Sequence, residues 1–147
     1  ANIVRERGNY SRALPLYKRC LEIAKPLKNR IPYAATLNNM AIVYKLQGNL
    51  AKAIEMYTQS IQIRDEIGDL KGKARTLNNI GIIYNDQGDT AKALQYYLES
   101  FRIKEDLNDP YGVALGASSL GGVYSDMLFR IRPDNGEAWG RENQNDW

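Results

Sequence analysis

The chain has 147 residues, 44% of them hydrophobic and 25% charged, with 20 Lys plus Arg against 17 Asp plus Glu for a net charge of +3. That length supplies one domain able to bury about two thirds of the surface its unfolded form exposes, and an average globular composition excludes global disorder, collagen and a disulfide scaffold. The absence of histidine and the single cysteine remove the usual general base, the commonest metal ligand and any intrachain disulfide, while the scattered basic residues form no nucleic-acid footprint.

Self-similarity organises everything that follows. The stretch LNNMAIVYKLQGNLAKAIEMYTQSIQIRDEIGD from Leu37 recurs as LNNIGIIYNDQGDTAKALQYYLESFRIKEDLND from Leu77, and sixteen of the forty positions in residues 37–76 are identical in 77–116. The chain therefore reads as two full repeats, 37–76 and 77–116, flanked by a partial repeat 1–36 and a partial repeat 117–128. A tail over 129–147 completes it.

At the front there is neither Met nor a charged and apolar leader, so the chain reads as a fragment or processed product, with the cytoplasm as the default compartment. Residues 1–7 align with 41–47 and read as the last turns of a helix that Gly8 and Asn9, under Gly48 and Asn49, bring to an end. A second helix is expected over about Tyr10 to Lys28, with Ala13, Tyr17, Leu21 and Ile23 under Ala53, Tyr57, Ile61 and Ile63. Cys20 aligns with Ser60 and Ser100 and is expected to be a buried, inert thiol. Asn9-Tyr10-Ser11 spells a glycosylation sequon, but its Asn stands in a capping column.

In the first full repeat, Leu37, Met40, Ala41 and Tyr44 stand at i, i+3, i+4 and i+7 on one helical face, and Leu77, Ile80, Gly81 and Tyr84 repeat it. Gly48 and Gly88 should end these helices in the left-handed conformation, and Asn49 and Asp89 should cap the next. A second stripe follows at Ala53, Tyr57, Ser60 and Ile61, and again at Ala93, Tyr97, Ser100 and Phe101. Small residues let the paired helices approach while the tyrosines fill the space between. Connectors are expected at Gly68-Asp69 and Asn108-Asp109-Pro110, followed by a last helix from about Asp109 to Met127. The uncharged stretch Tyr111–Ser125 is too short and too rich in Gly and Ser to cross a bilayer. Beyond it, the tail with Pro133, Gly136, Gly140, Trp139 and Trp147 reads as irregular or disordered, with its tryptophans able to dock on an uncapped end.

The small, aromatic, Gly, Ala, aromatic, small series of both full units resembles the tetratricopeptide repeat family, over about residues 1–128. The forty-residue unit opening on LNN, with Pro15 early in a second helix, is similar to its kinesin-light-chain-like subgroup, which also occurs in bacterial signalling proteins. Leu37 and Leu77 stand where the family usually has Trp. The resemblance implies an all-α, right-handed superhelical solenoid of antiparallel helix pairs. It also implies a concave groove lined by the first helices, for a protein or peptide partner. Carried over residue by residue, that groove holds Ala35, Asn38, Asn39, Ile42, Lys45 and Leu46, then Arg75, Asn78, Asn79, Ile82, Asn85 and Asp86, and finally Leu115, Ser118, Ser119 and Gly122.

An Asn ladder can pair with the backbone of an extended ligand, or one Asn of each pair can bond locally between helices. Only Lys45 and Arg75 stand as groove cations, too few for a carboxylate clamp. The expected function is a non-catalytic interaction scaffold, without cofactor, metal, small-molecule substrate, nucleic acid or membrane. The alternative is a self-assembling subunit that continues the stack head to tail into filaments through Leu14, Tyr17, Leu21, Leu120 and Tyr124 at its uncapped ends. Against assembly stands the plainer reading that these ends are boundaries inside a longer repeat array.

Overall fold

The computed structural model describes the backbone of residues 2–131 and the side chains of residues 8–125. Six helices run in sequence: α1 (Asn2–Ala24), α2 (Ile31–Leu46), α3 (Leu50–Ile67), α4 (Leu70–Asp86), α5 (Thr90–Asp106) and α6 (Pro110–Ile131). No strand occurs among the described residues. Helices α2 and α3 form one antiparallel hairpin and α4 and α5 the next, with packing densest inside each hairpin and each helix also packed on its neighbours in sequence.

The turns follow the local chemistry of the sequence. Gly48 and Gly88 adopt φ of 79° and 81°, which a side chain would resist. One residue later, the Asn49 side chain accepts the Lys52 backbone N–H at 3.3 Å and Asp89 accepts that of Lys92 at 3.2 Å. Between hairpins, Gly68 takes φ 73° and Asn108 takes 51°, while Asp69 and Asp109 each accept a backbone N–H, from Gly72 and Gly112, at 3.0 Å. Pro32 fills the column of Gly72 and has no N–H to give, and there Asn29 accepts from Ile31 instead.

Tyr57 and Tyr97 are almost fully buried against Ala41 and Gly81, the small residues of the helix opposite. The Ser60 hydroxyl donates to the Ala34 carbonyl at 2.9 Å and the Ser100 hydroxyl to that of Ala74 at 2.7 Å, so the same bond locks both hairpins. Lys52 and Lys92 lie over the Tyr44 and Tyr84 rings at 5.3 and 5.1 Å, repeating a cation–π contact once per unit.

The repeat boundaries at 36/37, 76/77 and 116/117 fall inside α2, α4 and α6, because periodicity fixes the spacing of a repeat and not its phase. Three expectations are corrected. The turn at Gly8-Asn9 is absent: α1 runs unbroken through both, with no positive φ at Gly8. The last helix extends past Met127 and across 128/129 to Ile131; the reading of residues 132–147 lies outside the described residues. Cys20 is exposed instead of buried. Its counterparts Ser60 and Ser100 are covered by the first helix of their own hairpins, and no described helix stands in that place beside α1.

Candidate interaction surface

Helices α2, α4 and α6 lie side by side on one face of the stack. The Thr76 hydroxyl of α4 shares its proton between the Gly72 carbonyl at 3.0 Å and the Asn38 side-chain oxygen of α2 at 3.2 Å, and residues of α4 and α6 line a common cavity. The expected groove residues form rows along these helices at i, i+3, i+4 and i+7: Ala35, Asn38, Asn39 and Ile42; Arg75, Asn78, Asn79 and Ile82; Leu115, Ser118, Ser119 and Gly122.

Exposure differs along the rows. Asn39, Arg75, Asp86, Ser118 and Gly122 are exposed, as are the apolar Ile42, Leu46 and Leu115, whereas Asn38, Lys45, Asn78, Asn79, Ile82 and Asn85 are half-buried. Ile82 leans into the cluster of Ala93, Tyr97, Leu120 and Val123, and so helps to seat α6. Ser119 turns its hydroxyl back to the Leu115 carbonyl at 3.2 Å.

The asparagines divide by their partners. Asn38 is held by Thr76, whereas no hydrogen bond engages the side chains of Asn39, Asn78 or Asn79 among the described residues. The reason is legible one repeat later: the column of Thr76 is Gly116 in α6, which has no hydroxyl to offer Asn78. Gly116 is in turn constrained by packing, because a Cβ there would lie 2.9 Å from the Phe101 ring.

The residues expected at the ends of the stack differ in their burial. Leu14, Tyr17 and Leu21 pack from α1 against the core of the first hairpin, and Leu120 is buried against α5. Only Tyr124 of the five is exposed, and Leu16 and Ile23 of α1 are 65% and 63% exposed although their columns hold the apolar Met56 and the buried Ile63. Gly121 meets no atom within 4 Å, although its counterpart Gly81 would carry a Cβ only 2.6 Å from the Tyr97 ring.

Among the described residues no cluster of three or more Cys, Asp or Glu is placed to hold a metal, and no helix is long and apolar enough to cross a membrane. A tetratricopeptide-repeat family model matches residues 1–66 and, in a second register, residues 33–106. The chain belongs to the tetratricopeptide repeat family. Among the solved structures that share its fold are BtubC (BKLC) from P. vanneervenii, at TM-score 0.75 and 24% identity over 84% of this chain, and a putative kinesin light chain with nearly identical TPR-like repeats from Podosopora anserina, at TM-score 0.64 and 17% identity over 83%. The matches cover 51% and 62% of those two chains, so this tetratricopeptide-repeat chain spans about half the length of the first. No sequence among curated proteins matches it. Tetratricopeptide repeats generally mediate protein–protein interaction, which directs attention to the face shared by α2, α4 and α6.

Proposed function

We propose that the chain is a non-catalytic scaffold that binds an extended segment of a partner protein along α2, α4 and α6. The observation that carries this reading is the set of unbonded amides at Asn39, Asn78 and Asn79 beside the apolar Ile42 and Ile82. Each amide offers two N–H donors and a carbonyl acceptor to a peptide backbone, and apolar neighbours supply the desolvated surroundings in which such bonds gain strength. The test is a nitrogen-edited NMR titration with peptides selected from a random dodecapeptide display library. Shifts confined to α2, α4 and α6, and affinity about tenfold weaker in an Asn39→Ala, Asn79→Ala double variant, are expected. Shifts confined to α1, α3 and α5 would overturn the reading.

A second reading, head-to-tail association of copies, is favoured by one pairing of observations. The open slot at Gly121 on α6 matches the slot that Tyr97 fills at Gly81, and the exposed Cys20 column on α1 matches the serines that close each hairpin. A copy placing α1 against α6 would fill both. Sedimentation over a hundredfold concentration range tests this: a mass that grows with concentration supports it, and a constant monomer overturns it.

A further inference from the structure

A hairpin of this repeat needs a first helix and a second, and among the described residues α6 has no second helix after it and α1 no first helix before it. Both helices carry the consequence on their surfaces. On α6, Ala114, Ala117, Gly121 and Tyr124 are exposed, whereas their counterparts on α4, Ala74, Leu77 and Gly81, are buried and Tyr84 is half-buried. On α1, Cys20 and Ile23 are exposed where Ser60 and Ile63 are buried, and Leu16 is exposed where Tyr96 is half-buried.

Laid together as α4 and α5 are, the two faces match position by position. Lys52 and Lys92 lie over the Tyr44 and Tyr84 rings at 5.3 and 5.1 Å; Arg12 occupies the column of the lysines and Tyr124 that of the rings. Tyr96 stacks on Tyr84 with ring centroids 5.5 Å apart, and Leu16 stands in the column of Tyr96. Ile63 packs with Ala34 and Leu37, and Ile23 stands to Ala114 and Ala117 in the same relation. Tyr17 stands to Gly121 as Tyr97 does to Gly81. The charges also complement each other. Consecutive turns between hairpins lie side by side, since residues 28–31 and 67–69 line one cavity. The turn after α1 carries Lys25, Lys28 and Arg30, and the stretch leading into α6 carries Glu105, Asp106 and Asp109, so the two ends bring opposite charges to a shared edge.

We propose that α1 of a second copy docks on α6 as the second helix of a third hairpin, with Arg12 and Leu16 against Tyr124, Tyr17 in the slot at Gly121, and Ile23 on Ala114 and Ala117. The inference rests on the reading of head-to-tail association and gives it a register and contact residues. The same register sets α2 of the second copy beside α6. Thr36 of that copy stands in the column of Thr76, and Ser118 in that of Asn38, so Ser118 offers Thr36 the acceptor that Asn38 offers Thr76. The face of α2, α4 and α6 then continues from copy to copy, and association lengthens the groove instead of blocking it. Each copy uses α1 toward one neighbour and α6 toward the other, which makes the contact heterologous. Pairing of α1 with α1 is disfavoured, because the exposed charges from Arg12 to Lys28 are five basic residues against the single Glu22, and two such surfaces repel.

Two variants of the full chain, each blocked at one end, test the register. Leu16→Glu places a charge on α1 and Gly121→Gln fills the slot on α6; both positions are open in the single copy, and circular dichroism checks that each variant folds. In sedimentation velocity over a hundredfold concentration range the unaltered chain should grow in mass, and each variant alone should associate at least about tenfold more weakly. An equimolar mixture of the two variants should form a heterodimer and stop there, because each keeps one sound end. Cross-linking supplies a second readout. A short bismaleimide should join the thiol of an Ala114→Cys variant to Cys20 of the next copy and give a ladder of covalent multimers, which adding Cys20→Ala should abolish. A constant monomer for the unaltered chain overturns head-to-tail association altogether. Growth in mass that neither Leu16→Glu nor Gly121→Gln weakens, or a mixture that behaves as the variants do alone, overturns the register while association itself stands. Cross-linking that survives Cys20→Ala shows α6 facing α6 and overturns the register equally.

Discussion

Replacing Gly81 and Gly121 separately by alanine is expected to change stability in opposite directions. The two residues occupy the same column of the repeat, so the substitution is chemically identical and only the neighbour differs. A Cβ at Gly81 would lie 2.6 Å from Cε1 and 2.7 Å from Cδ1 of Tyr97, a ring that is itself only 4% exposed. Ordinary carbon contact near 3.5 Å requires α4 and α5 to part locally by roughly 0.9 Å. Such overpacking costs about 1–3 kcal/mol, against which the loss of a helical glycine returns about 1 kcal/mol. Ala41 holds the same column in the first hairpin opposite Tyr57, so the fold accommodates the wider spacing and the cost stays near the middle of that range, about 2 kcal/mol. The net expectation for Gly81→Ala is a loss of about 1 kcal/mol and a fall in Tm of about 3–5 °C. Gly121 has nothing within 4 Å, so Gly121→Ala should gain up to about 1 kcal/mol. Urea titrations and thermal melts followed by circular dichroism measure both. Shifts of the same sign in the two variants would refute the packing argument.

Three further outcomes are expected. Ser100→Ala should cost about 1 kcal/mol by leaving the Ala74 carbonyl without its 2.7 Å bond, whereas Cys20→Ala should stay within about 0.5 kcal/mol and native Cys20 should be labelled by a maleimide without unfolding, which melts and mass spectrometry will decide. Gly68→Ala, at φ 73°, should lose about 1 kcal/mol, and Asn108→Gly, at φ 51°, should lose less than 0.5 kcal/mol or gain slightly. Burial pushes the Tyr57 hydroxyl up to about 12 from 10.0, so the native state holds a proton that the unfolded chain releases. The stability it contributes is complete below pH 10 and is lost as pH rises through 12, a decline of about 2–3 kcal/mol that Tyr57→Phe should reduce, as urea titrations at pH 9 and 11.5 will read.

The sequence carried the repeat, its caps and its core because those depend on local rules. Gly48 and Gly88 announce a left-handed turn and Asn49 and Asp89 a cap, whatever surrounds them. The failures lie where a residue's fate depends on what stands beside it. Gly8 and Asn9 carry the same letters as Gly48 and Asn49 yet lie within α1. Cys20 shares its column with two buried serines, but no described helix covers it as α2 and α4 cover them. On the candidate face, the rows of asparagine followed from the resemblance to the tetratricopeptide repeat family. The difference between Asn38, tethered by Thr76, and Asn78, released by Gly116, is a relation between adjacent repeats and becomes legible only when the two columns face each other.

Each helix packs chiefly on the helix before it and the one after it, and this arrangement governs how the molecule responds to being pulled, warmed or loaded. With few contacts joining distant stretches of chain, ordering can begin in either hairpin and spread, and the outer helices should exchange their amides sooner than α3 and α4. The column is elastic along its length for the same reason. A peptide seated across α2, α4 and α6 would add a tie beyond the Asn38–Thr76 bond and the packing of α3 on α4, so a bound partner would act as a splint that makes the hairpins melt more nearly as one.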